Sequence, residues 1–157
     1  MLTFAYGSSM DWQQTRERCP SATFVGIALL PDHRLAFTHR STKRGCGVAD
    51  AVPVAGQGVW GVVFEIGDRD VGRLDKSEGF RPGRPREENS YIREQRHVLL
   101  DGDVARPLNA EVYFVARKVD GLKPNQDYKA NMLSGANYWH LPPLYIRDVL
   151  EGIEVEA

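Results

Sequence analysis

Two short stretches combine residue types suited to proton transfer and carbonyl chemistry. The first is RLDKSEGF, residues 73–80. Glu78 stands there at the close of a helical pattern, beside Gly79 and ahead of a loop. A carboxylate near a helix C-terminus meets the negative end of the dipole. Asp75 lies one turn away, and like charge also disfavours ionisation. Both effects, with any burial, lift such a carboxyl above its reference value of about 4.3 and toward the range useful to a general base. The second stretch is FAYGSSM, residues 4–10. Small residues directly after a strand let a ligand approach the backbone. The N–H groups of Gly7 to Met10 open the next helix, where donors lack intrahelical acceptors and can hold a carboxylate or an oxyanion. Spacing alone leaves plainer readings open. Glu78 would also suit a solvated surface, and Gly-Ser-Ser before a helix is commonly an N-cap.

The elements that must position these residues follow from pattern. Leu2–Tyr6 reads as a strand, and Asp11–Arg18 as a helix stopped by Pro20. Thr23–Leu30 and Arg34–His39 read as an antiparallel pair turned by Pro31-Asp32-His33. Val48–Pro53 and Gly58–Ile66 read as a second pair turned at Ala55-Gly56-Gln57. VWGVVF within it is a continuous apolar run, expected to be covered on both faces. Asp68 is the expected N-cap of the helix that ends near Gly79. Residues 79–89, GFRPGRPREEN, hold two prolines and three arginines and read as a long exposed loop, a mobile rim over the pocket. Strands follow at Tyr91–Leu100 and Ala110–Arg117. Helices close the chain at Asn125–Tyr138 and Pro143–Glu151. About seven strands before two terminal helices predict one α+β domain over residues 1–157. Its sheet is mixed, mostly antiparallel, and curled into a small barrel that removes the edges.

Composition narrows the function classes. The chain has 157 residues, 26% charged and 42% hydrophobic, with a net charge of −1. That balance gives no pull toward nucleic acid or anionic lipid. No apolar run reaches the roughly 20 residues of a spanning helix. The N-terminus lacks the basic segment of a secretory signal, and Cys19 and Cys46 are expected as reduced thiols, so a cytoplasmic setting is expected. No phosphate-binding glycine motif occurs. The histidines His33, His39, His97 and His140 stand singly, which speaks against a metal site. Ser8 and Ser9 lack a nucleophile-elbow context.

FAYGSSM, VWGVVFEI at 59–66, LDKSEGF at 74–80 and DYKANMLSGANYWHLPPLY at 127–145 occur in that order. Together they resemble the gamma-glutamylcyclotransferase-like family over nearly the whole chain. The resemblance implies a partly closed β-barrel with flanking helices. It implies cyclisation of a γ-glutamyl group to 5-oxoproline with release of the attached amine, without cofactor or metal. It implies Glu78 as the catalytic carboxylate, with Tyr6, Gly7, Ser8, Ser9 and Met10 as the turn that binds the γ-glutamyl moiety. Tyr91 and Tyr128 resemble family tyrosines close to the pocket. Ser9 stands where the family turn usually has Asn. The expected partner is a small γ-glutamyl substrate, with the chain a monomer or homodimer. A γ-glutamylamine cyclotransferase, a γ-glutamyl-removing biosynthetic enzyme and a non-catalytic binding module on the same fold are the alternatives. The presence of Glu78 speaks against the last.

Overall fold

The computed structural model describes residues 1–157. Five strands close into a barrel in the order β1-β3-β2-β4-β5. They are β1 (Leu2–Ala5), β2 (Thr23–Ser41), β3 (Cys46–Glu65), β4 (Tyr91–Leu100) and β5 (Pro107–Val115). All pairings are antiparallel except that of β1 with β5, where Thr3 faces Glu111. This is the expected mixed barrel with flanking helices. A closed barrel has no free edge, and the short β1 completes it.

The count of strands differs from the sequence expectation for a physical reason. The two expected hairpins are a single long one. Thr23–Pro31 runs beside Gly58–Glu65, and His33–Ser41 beside Cys46–Pro53, so the halves of β2 pair with β3 and not with each other. Pro31-Asp32 and the residues around Gly56 form an irregularity within the ladder. Asp32 has φ +58° and Gly56 φ +82°. The Gly56 N–H donates to Asp32 Oδ1 at 3.0 Å, which ties the two irregular segments together. Residues that usually reverse a chain here bend a strand pair. The true reversal is Thr42-Lys43-Arg44-Gly45, where Gly45, at φ +70°, donates its N–H to the Ser41 carbonyl at 2.8 Å.

VWGVVF lies in β3, and Val59, Val62, Val63 and Phe64 are all 1% exposed or less. Four helices flank the barrel: α1 (Trp12–Arg18), α2 (Asp68–Ser77), α3 (Gln126–Tyr138) and the short α4 (Pro143–Tyr145), which runs on into one π-helical turn at Ile146–Leu150. The N-cap of α2 is Gly67, with Asp68 and Asp70 in the first turn, where the dipole favours acid. Asp11 caps α1, its side chain accepting from the Gln13 N–H. Asn125 caps α3, its side chain accepting from the Tyr128 N–H at 2.9 Å. Between β1 and α1, Ser8–Met10 forms one 3₁₀ turn. It presses on α3 at Gly135, where an added Cβ would stand 2.7 Å from the Met10 backbone.

Candidate active site

The end of α2 is built to hold Glu78 in one place. Glu78 is the C-cap, and Gly79 follows at φ +66°. The Gly79 N–H donates to the Lys76 carbonyl at 3.1 Å, and the Phe80 N–H to the Asp75 carbonyl at 2.9 Å. These are the paired bonds of a Schellman motif, which calls for glycine after the cap. An added Cβ on Gly79 would also meet the Ser90 side chain at 2.8 Å. The Glu-Gly pair of LDKSEGF thus has a backbone reason.

Glu78 opens onto a cavity of about 390 Å³ at the end of the barrel, and it is the sole carboxylate in the lining. It takes part in no ion pair. Burial pushes its carboxyl above the ordinary carboxylate value. Arg18 and Arg44 pull against that rise, and Asp75 adds to it.

Asp75 faces the other way. It is 4% exposed and binds Arg93 at two points, with Arg93 Nε 2.9 Å and Nη2 3.3 Å from its oxygens. Tyr113 also donates its hydroxyl to Asp75. Asp75 is therefore a buried anchor between α2 and the barrel wall.

Tyr6, Gly7, Ser8 and Ser9 line the cavity, as do Tyr91 and Tyr128. Met10 does not. It is fully buried, packs against Gly135, and offers its carbonyl to Trp139 Nε1 at 2.9 Å. Its N–H closes the 3₁₀ turn on the Gly7 carbonyl at 3.1 Å. Of the five turn residues expected to hold the substrate, Met10 alone stands back from the cavity, because its apolar side chain packs into the core. Ser8 and Ser9 begin the turn, so their amides have no acceptor within it.

Four tyrosines share the cavity, and burial raises the pKa of each, so all remain protonated. Three give their protons to the protein: Tyr6 to the Tyr113 carbonyl, Tyr113 to Asp75, and Tyr91 to the Ala49 carbonyl. Tyr128 differs. Its oxygen accepts from the Ala49 N–H at 3.1 Å and is also met by the Ser8 amide and hydroxyl, so its own proton is left to give.

Sequence reasoning missed Tyr113, Arg18 and Arg44. Tyr113 sits on β5 opposite Arg93, and no local motif marks it. Arg44 is at the hairpin tip and reaches across to Ser8 Oγ at 3.1 Å and Gln14 Oε1 at 2.7 Å, over the Tyr128 ring. A basic Lys-Arg-Gly tip between two strands was its one visible sign. The 79–89 loop contributes only Gly79 to the lining. Its arginines lie outside the cavity, and the loop is gathered on the buried Asn89. That side chain accepts from Arg81 N at 2.9 Å and Arg84 Nε at 2.7 Å and donates to the Pro85 carbonyl.

Comparison with known proteins places the chain. The family model "Gamma-glutamyl cyclotransferase, AIG2-like" matches residues 3–136. The chain belongs to this family. It is 36% identical over 148 residues to the gamma-glutamylcyclotransferase of Bos taurus, spanning 92% of this chain and 74% of that protein. It is 28% identical over 160 residues to the gamma-glutamylcyclotransferase of Homo sapiens, spanning 98% of this chain and 78% of that protein. A solved structure of a gamma-glutamyl cyclotransferase superposes with a TM-score of 0.86 at 27% identity, covering 99% of this chain and 89% of its own. The barrel and its flanking helices thus belong to a family architecture.

Proposed function

We propose that this member of the family cyclises the γ-glutamyl group of a small substrate to 5-oxoproline and releases the attached amine. It is an enzyme of the cyclotransferase type. The observation that carries the reading is Glu78: the one carboxylate on the cavity, free of any ion pair, held by a helix end and raised by burial.

The chemistry needs little else. The substrate's α-amine attacks its own γ-carbonyl, so both reactants are already tethered. Holding them in register supplies up to about 7–11 kcal/mol of the barrier. The α-ammonium has no lone pair, and Glu78 takes a proton from it. The amine nitrogen then bonds to the carbonyl carbon, and its second proton passes to water as the adduct forms. Negative charge gathers on the carbonyl oxygen, for which the Ser9 amide and the Tyr128 hydroxyl are the available donors. The bond to the leaving nitrogen breaks as Glu78 returns a proton to it, and the released neutral amine takes a second proton from water to become an ammonium ion. Arg44, resting on the turn at Ser8, is the cation best placed for the substrate α-carboxylate. In this role Tyr6 and Tyr91 shape the pocket, since their own protons are committed.

The test is direct. The protein is incubated with γ-glutamyl amino acids, glutathione and γ-glutamyl amines, and 5-oxoproline is measured. Release from at least one of them is expected. Binding without turnover of any would favour the non-catalytic module instead.

A further inference from the structure

The cavity is far more positive than the chain that builds it. The whole protein carries −1. Yet Arg18, Arg40, Lys43, Arg44 and Lys76 all line this one opening, against Glu78 alone. They come from three elements, the end of α1, the β2–β3 tip and the last turn of α2. None is in an ion pair with an acidic side chain. His39 adds no charge near neutral pH, because burial and then Arg117 lower its pKa. Like charges gathered without protein counter-ions are stabilised by an anion that binds among them.

The cyclising half of the substrate does not account for this excess. A γ-glutamyl group brings one ammonium and one carboxylate, and one cation, Arg44, matches that carboxylate. Arg18, the cation that acts most strongly on Glu78, offsets that carboxylate. Three remain. Arg40, Lys43 and Lys76 are exposed at the mouth, where this reading puts the portion beyond the scissile bond. We propose that Arg40, Lys43 and Lys76 form an anion-reading subsite for the leaving group. The preferred substrates are then γ-glutamyl conjugates whose released amine is itself acidic. Two carboxylates rank above one, and one above none. This rests on the cyclotransferase reading and adds the substrate class.

The effect is collective. A single exposed ion pair contributes little. A cleft lined by one sign of charge focuses the field and raises capture of an opposite charge by about 10- to 10³-fold at low salt. The experiment compares kcat/KM for 5-oxoproline formation from γ-glutamyl-aspartate, γ-glutamyl-alanine and γ-glutamyl-ethylamide. Each is measured at about 0.01 M and about 1 M salt, where the Debye length falls from about 30 Å to about 3 Å. At low salt γ-glutamyl-aspartate should exceed the ethylamide by about tenfold or more, with the alanine conjugate between them. High salt should compress the ranking in the unmodified protein, and so should the variant R40Q/K43Q/K76Q at low salt. A flat or reversed ranking at low salt, or one that survives both high salt and the triple variant, overturns the subsite and leaves the cyclotransferase reading standing. No 5-oxoproline from any of the three overturns that reading and the subsite with it.

Discussion

Asp75 and Arg93 form a two-point ion pair inside the wall that carries the site, with nitrogen–oxygen distances of 2.9 and 3.3 Å. One turn further along, Glu78 has no such partner. Two carboxylates of one motif have thus been given opposite tasks by their surroundings. One is neutralised and buried as an anchor. The other is left without an ion-pair contact at a cavity.

Asp75→Ala should therefore act chiefly on stability. It removes the partner of a poorly exposed arginine and the acceptor of the Tyr113 hydroxyl. Removing one member of a buried pair costs on the order of 3–5 kcal/mol. Asp75→Asn keeps an acceptor and should lose less. Urea denaturation checks both. If Asp75→Asn unfolds like the parent protein but loses turnover, the anchor role is wrong.

Gly7 is the place where the turn meets the barrel. A Cβ there would stand 2.9 Å from Ala49 Cβ and 3.0 Å from Tyr128 Oη. Gly7→Ala should displace the turn and tip the Tyr128 hydroxyl. A misplacement of about 1 Å can cost about 10²-fold in rate. We expect a loss of that order in kcat/KM with little change in helix and sheet content by circular dichroism. An unchanged rate would show that the turn does not set the substrate's position.

Both terminal helices and the Glu78 helix end were legible in local pattern, because periodicity and capping are local; the barrel was legible from the need to remove sheet edges and from the family resemblance, with two strands too many. The long β2–β3 hairpin was not. Pro31-Asp32 and Ala55-Gly56 carry turn chemistry, and only the pairing across strands shows that they bend a ladder rather than reverse it. The same limit hid Tyr113 and Arg44, which reach the cavity through strand register and a distant hairpin tip. Gly79 was legible in its position, but its reason, a Schellman cap beneath the key carboxylate, needed the hydrogen bonds.

The 79–89 loop invites a prediction opposite to its composition. Its arginines look like a specificity rim, yet only Gly79 borders the cavity. Arg81→Gln and Arg86→Gln should leave the ranking of leaving groups unchanged. Asn89→Ala should loosen the loop, since its side chain holds Arg81 N, Arg84 Nε and the Pro85 carbonyl. Limited proteolysis within 80–88 reads the second effect. A changed substrate ranking in Arg81→Gln would return the rim to this loop.

Glu78→Gln separates function from folding most sharply. Gln keeps the size of the side chain and cannot take the proton. Turnover should fall by about 10²–10⁴-fold, the range of general acid–base groups, or further, because one residue serves both ends of the reaction. Substrate binding, followed by calorimetry, should persist. Stability should move the other way. Burial raises the Glu78 carboxyl above its ordinary value, so the folded state holds this proton more tightly than the unfolded chain does. Its contribution is then fully present below the unfolded pKa of about 4.3 and is lost as pH rises through the folded pKa. At pH 7 the ionised group is a cost, and removing its charge should leave Tm equal or raise it by a few degrees, at about 2–4 °C per kcal/mol for a chain of this size. That difference should vanish toward pH 4, where Glu78 is protonated in the parent. The same shift sets the acid limb of activity: the base must be ionised, so the rate should rise with pH through a midpoint above the ordinary carboxylate value. A parent enzyme whose rate falls as Glu78 ionises, or a Gln variant with near-parent 5-oxoproline formation, would remove Glu78 from the reaction.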